Sequence, residues 1–152
     1  MPEITPEMLA FLLEAKHKTY AGNGQHAPSS RPASVDLPYQ DGDYLYLDSY
    51  LGGVRFLGEE GVWFKRQPLW GMNYYGWMLV TEVPAGFGEF LKQALLEVPA
   101  EAPYRGPAYF VAGEFEYYCQ SQGSPECFEG RETIEQAGTQ IYELVFHGGS
   151  IQ

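Results

Sequence analysis

Glu60 and Glu132 lie 72 positions apart in stretches that read alike. In "FLGEEGVWF" the alternate residues Phe56, Gly58, Glu60, Val62 and Phe64 would share one face of a strand, and Phe128, Gly130, Glu132 and Ile134 would repeat that face. A carboxylate thus recurs among apolar neighbours. Burying one unpaired costs on the order of several kcal/mol or forces protonation, so each glutamate needs a donor, a cation or water. Tyrosine hydroxyls, a tryptophan N–H, or Arg55, Arg105 and Arg131 could serve. With Tyr46, Trp70, Tyr74, Tyr142 and Phe146 around them, the two carboxylates would line an aromatic, acidic pocket for a small organic cation or a planar amphipathic ligand. Held close together, they could also split their pKa values and work as acid and base in a small hydrolase or isomerase. Two further outcomes need no ligand: a structural polar network, or β-bulges at Gly58 and Gly130 that change the register and return both glutamates to solvent.

Other combinations of residues offer less chemistry. "GNGQHA" has the G-x-G-x-x-A spacing of a dinucleotide turn, but it follows a helical pattern and lies in a Pro- and Ser-rich stretch, without the strand before it or the helix after it. His17, His26 and His147 are dispersed, with no Cys or Asp at ligand spacing, and no phosphate-binding loop or nucleophile elbow occurs. No metal and no cofactor are expected. Cys119 and Cys127 are too few for a disulfide framework, so reduced thiols are expected.

The elements that must position the glutamates follow from hydrophobic period. Between Pro6 and Tyr20, residues Met8, Leu9, Phe11, Leu12, Leu13 and Ala15 recur with helical spacing behind an N-cap at Thr5. Ala21 to Ser34 reads as a long ordered loop or a lid. Three strands follow in "DYLYLDSYL", "EGVWF" and "PLWGMNYYGWMLV"; a second helix fits Ala85 to Pro99; and "GEFEYYCQ", "RETIEQ" and "QIYELVFHG" give three more strands. Shifted by 72, Phe56, Gly58, Glu60, Val62, Trp70, Met72, Tyr74 and Gly76 fall on Phe128, Gly130, Glu132, Ile134, Tyr142, Leu144, Phe146 and Gly148. The expectation is one domain over residues 1–152, built from pseudo-repeats 5–80 and 85–149. Its class is α+β: an internally duplicated αβββ unit gives one mainly antiparallel sheet of about six strands with two helices. Such a sheet can curl as in the effector-binding domains of bacterial multidrug regulators, a likeness of fold only. Within it, the run "WGMNYYG" is first a packing strand.

Composition narrows the partners. A net charge of -11 with only 9 Lys and Arg argues against direct nucleic-acid binding and against an anionic membrane surface. No run is long and apolar enough to span a membrane, and the acidic start "MPEITPEMLAFLLEAK" is unlike a signal peptide, so a cytoplasmic location is expected. The aromatic content of 16% suits β structure, a ligand wall or a homodimer interface.

The runs "SRPAS", "GDYLYLDSYLGG", "FLGEE", "PLWGMNYYG", "PYRGP" and "YELVFHGG" resemble a bacterial domain family of unknown function, found alone or behind a helix-turn-helix module of the XRE type. The resemblance spans about Phe11 to Gly149. It brings no catalytic residues, and the fusions imply a sensor or effector-binding role. One helix ahead of the glycine loop cannot itself make a helix-turn-helix.

Overall fold

The computed structural model describes residues 3–152. Helix α1 runs Pro6–Lys18, with the Thr5 hydroxyl accepting the Met8 N–H at 3.1 Å and proline at its first position. It buries Met8, Phe11, Leu12 and Ala15 of the expected stripe and leaves Leu9 and Leu13 half-buried. Helix α2, Phe87–Leu96, buries Phe87, Phe90, Leu91, Ala94 and Leu95. The strands are β1 Val35–Asp41, β2 Tyr44–Gly52, β3 Arg55–Phe64, β4 Gln67–Met78, β5 Tyr109–Ala112, β6 Phe115–Ser124, β7 Cys127–Gln136 and β8 Thr139–Ser150. All eight form one antiparallel sheet in the order β1-β2-β3-β4-β8-β7-β6-β5. Helix α1 packs on β1 and β2, α2 packs on β6, and the helices touch each other on that face.

Among the described residues eight strands correct the expected six, and each half is a helix followed by four strands rather than three. The missed strands are the two edges. Strand β1 carries Pro38, a residue confined to edges because it has no N–H for a ladder, and β5 is only four residues long. Neither gives the sustained alternation by which a strand is recognised in sequence.

The two halves share a register. Tyr46 stands opposite Val62 as Tyr117 stands opposite Ile134, and Gly58 opposite Tyr74 as Gly130 opposite Phe146. The single irregularity in each half falls at matching places, Val62/Trp63 and Ile134/Glu135. Strands β4 and β8 meet at the centre, where Tyr74 pairs with Phe146. The paired glycines have a packing reason: a Cβ at Gly58 would collide with the Tyr74 ring, and one at Gly130 with the Phe146 ring. Each aromatic lies over the bare backbone of the neighbouring strand. In "WGMNYYG", Trp70 stacks on Phe128 at 5.7 Å and donates to the Pro125 carbonyl at 3.0 Å, and Met72 is buried, so the run is mainly core.

The segment after α1 is tied down rather than loose. Asp36 accepts hydrogen bonds from the Ser30 N–H, Ser34 Oγ and Ser49 Oγ, and Arg31 donates to Ser49 Oγ at 2.7 Å. Burial raises the Asp36 pKa, but these hydrogen bonds outweigh it and hold the carboxyl below its usual value.

Candidate functional site

Glu60 and Glu132 both point into the interface between sheet and helices, because the irregularities lie beyond them and leave their register intact. Their surroundings differ. Glu132 is fully buried and receives four hydrogen bonds. Arg105, from the connection between α2 and β5, grips it with Nε on Oε2 at 3.0 Å and Nη2 on Oε1 at 2.9 Å. Tyr117 donates to Oε2 and Tyr142 to Oε1, the latter at 2.7 Å. The Gly106 N–H closes the network by donating to the Tyr117 hydroxyl at 2.7 Å. Burial disfavours the Arg105 charge, yet Glu132 more than offsets it and holds the guanidinium firmly protonated. With both oxygens satisfied, Glu132 is a structural acceptor that anchors the connection to the sheet.

Glu60 is less fully engaged. Lys16, from the last turn of α1, donates to Oε2 at 2.7 Å and also to the Tyr104 carbonyl at 2.7 Å, while Tyr46 donates to Oε1 at 2.7 Å. The salt bridge is buried at both ends. Directly across the β2–β3 ladder from Glu60 stands a third carboxylate, Asp48, 5% exposed. Side chains opposed in this way have Cβ atoms about 4.5–5.5 Å apart. Among the described residues, Asp48 takes one side-chain hydrogen bond, from Tyr74 to Oδ1 at 2.6 Å. Burial, then the charge of Glu60, push its pKa up to about 7, against the Tyr74 hydrogen bond and the charges of Lys16 and Arg105.

Asp48 stands at the junction of two cavities. One is a cleft of about 260 Å³ between β2, β3, β4 and α2, walled by Tyr50, Phe56, Tyr74, Met78, Phe87 and Leu91, with Asp48 and Arg105 at its floor. The guanidinium of Arg105 lies 5.5 Å from the centre of the Tyr74 ring. The other is a chamber of about 30 Å³, room for about one water, bordered by Lys16, Tyr46, Asp48 and Glu60. Tyr20 borders both. A third, open groove of about 1040 Å³ runs along the connection 99–108 and β6 to β8.

The sequence-predicted residues are therefore divided. Tyr74 walls the cleft, and Tyr46 and Glu60 border the chamber beside it. Glu132 and Tyr142 belong to the Arg105 network, Trp70 to the core, and Phe146 to the open groove. Asp48, Lys16 and Tyr20 join the site beyond the residues that the sequence pattern predicts. A signal for Asp48 was present: it occupies the same face of "DYLYLDSYL" as Tyr44, Tyr46 and Tyr50.

The sequence profile of a domain of unknown function, DUF5680, matches residues 48–151, from Asp48 through the end of β8. The chain belongs to the DUF5680 family. The match takes in Asp48, Glu60, Tyr74, Arg105 and Glu132, whereas Lys16 and Tyr20 lie outside it. No curated protein and no solved structure matches the chain. Among the described residues no helix is long and apolar enough to cross a membrane.

Proposed function

We propose that this DUF5680 domain binds a small planar amphipathic molecule in the cleft above Asp48, as a sensor-type module. The observation that carries the reading is a cleft with aromatic walls whose floor holds a buried carboxylate with hydrogen-bonding capacity to spare. The resemblance to bacterial domains that follow XRE-type modules supports a sensing role in the cytoplasm. We also read the two halves as products of duplication, which their common register supports. A library of aromatic fragments screened by saturation-transfer NMR tests the binding. Gly88 lines the cleft, and open space surrounds its missing Cβ. Gly88→Trp should therefore weaken binding about tenfold or more while leaving the unfolding curve in place. Fragments that bind parent and variant alike, or no hit at all, would exclude the cleft.

A second reading rests on the helix-free face, where Leu57 and Tyr75 stand opposite each other, 47% and 37% exposed. Such a patch suits a homodimer. Sedimentation of the parent beside Leu57→Glu tests it, and a monomeric parent ends it.

A further inference from the structure

Charge at the cleft floor does not balance. Lys16 neutralises Glu60 and Arg105 neutralises Glu132, each through a buried pair, and among the described residues Asp48 remains as a carboxylate without a cation of its own. The second half shows that the fold does not require it. Opposite Glu132 in β6 the residue is Cys119, where Asp48 stands opposite Glu60, and the place of Tyr74 is held by Phe146. The same strands thus pack without the carboxylate or the hydroxyl that donates to it. A buried charge kept on one side only, and turned toward a cleft, marks that side for a ligand.

We infer that the ligand of this cleft carries an amino or amidino cation on a planar aromatic body, and that this cation replaces a proton on Asp48 when it binds. The inference rests on the binding role proposed above and adds the charge and the exchange. The groups facing Asp48 are consistent with it from every side. Helix α1 and the turn after it present Lys16 and Tyr20; β2 presents Tyr46 and Tyr50, β3 Glu60, and β4 Tyr74; the 99–108 connection presents Arg105, with Glu132 behind it. Helix α2 contributes Phe87, Gly88 and Leu91, with no charge. Both cations are already bound to glutamates, so an anionic ligand would meet Asp48 and Glu60 without a free positive partner, while a cation finds an unpaired carboxylate and aromatic faces. In the empty cleft, protonation of Asp48 supplies the neutrality that the ligand would otherwise bring. The exchange is balanced: the carboxylic acid and the ligand cation give the carboxylate–cation pair, and one proton leaves to solvent.

Tryptamine and benzamidine are suitable probes, with tryptophol and benzamide as their neutral counterparts. Calorimetry at about pH 5.5 and about pH 8.5 should show the cations binding ~30-fold more tightly at the higher pH, since a group titrating near 7 must lose its proton first. Close to one proton should be released per ligand at the lower pH, read from buffers of different ionisation heat, and none at the higher. In Asp48→Asn, and in Asp48→Cys, which installs the residue used by the second half, the pH dependence should vanish and the cations should bind no better than their neutral counterparts. If the neutral compounds bind the parent as well as the cations do at about pH 8.5, or if cation affinity is the same at both values, the cleft keeps its binding role and the exchange is wrong. If none of the four binds at millimolar concentration, both conclusions fall.

Discussion

Replacing Asp48 by Asn should make the protein more stable at alkaline pH, by a smaller margin in mild acid, and leave it nearly unchanged only below the unfolded value of 3.8. The folded-state pKa is raised from 3.8 to about 7, so between these values the native state holds a proton that the unfolded chain has released. Stability therefore falls as pH rises through this window, and the loss is complete above about pH 7. The gap corresponds to ~4 kcal/mol at about 1.36 kcal/mol per pH unit. Glu60 shares the repulsion and the surroundings relax, so ~2–4 kcal/mol is the expected gain for Asp48→Asn at about pH 8. Asn keeps an oxygen for the Tyr74 hydroxyl, which removes loss of that hydrogen bond as a competing effect. Urea unfolding followed by tryptophan fluorescence at about pH 5 and about pH 8 measures both proteins, and the difference between them cancels the titrating groups that do not interact with Asp48. Parallel stability–pH curves for parent and variant would refute the reasoning, because they would mean that Asp48 titrates alike in folded and unfolded chains.

The two glutamates should differ in the damage done by removing them. Glu60→Leu leaves Lys16 and Tyr46 without their acceptor and should cost about 3–5 kcal/mol, whereas Glu132→Leu orphans Arg105, Tyr117 and Tyr142 together and should cost more, both read from urea midpoints. Equal and small losses would show that neither network is coupled to folding. For the thiols, Cys127 is exposed and should react quickly with a maleimide in the native protein, while Cys119, half-buried and with a pKa that burial pushes up to about 12, should react far more slowly until the chain unfolds; comparable native rates would contradict the surroundings of Cys119.

How far the sequence alone could be read varied with the kind of residue. Alternation puts Glu60 and Glu132 on the apolar face unless a bulge at Gly58 or Gly130 shifts the register, and only the structure, with its irregularities at Val62/Trp63 and Ile134/Glu135, decides for the inward face. For either glutamate the sequence offers tyrosine and tryptophan donors and the cations Arg55, Arg105 and Arg131. The choice of Arg105 was not legible, since it depends on how the 99–108 connection folds back over β7, while Arg131 turns outward to Glu143 and Arg55 is exposed. Lys16 was hidden for a related reason: a lysine in the last turn of an amphipathic helix ordinarily faces water, and only tertiary packing draws it onto Glu60. Asp48 is masked in the sequence by tyrosines whose alternation dominates the pattern. Strands β1 and β5 carry a weak sequence signal because an edge needs to be apolar on fewer sides and tolerates Pro38.

Those two edges also determine how the molecule can meet copies of itself. An uncovered edge is a template on which another chain can lay a strand. Here the start of β1 is occupied by Ala27, whose N–H donates to the Asp36 carbonyl at 2.9 Å, and Pro38 further along has no N–H to offer. At the opposite end β5 stops after four residues, too short to guide a long incoming strand. Growth in the plane of the sheet is thereby discouraged at both ends. A protein this rich in β structure can tolerate exposed apolar residues on its open face where the patch pairs with the same patch of a second copy, because such a self-complementary contact closes into a discrete pair rather than running on as a fibre.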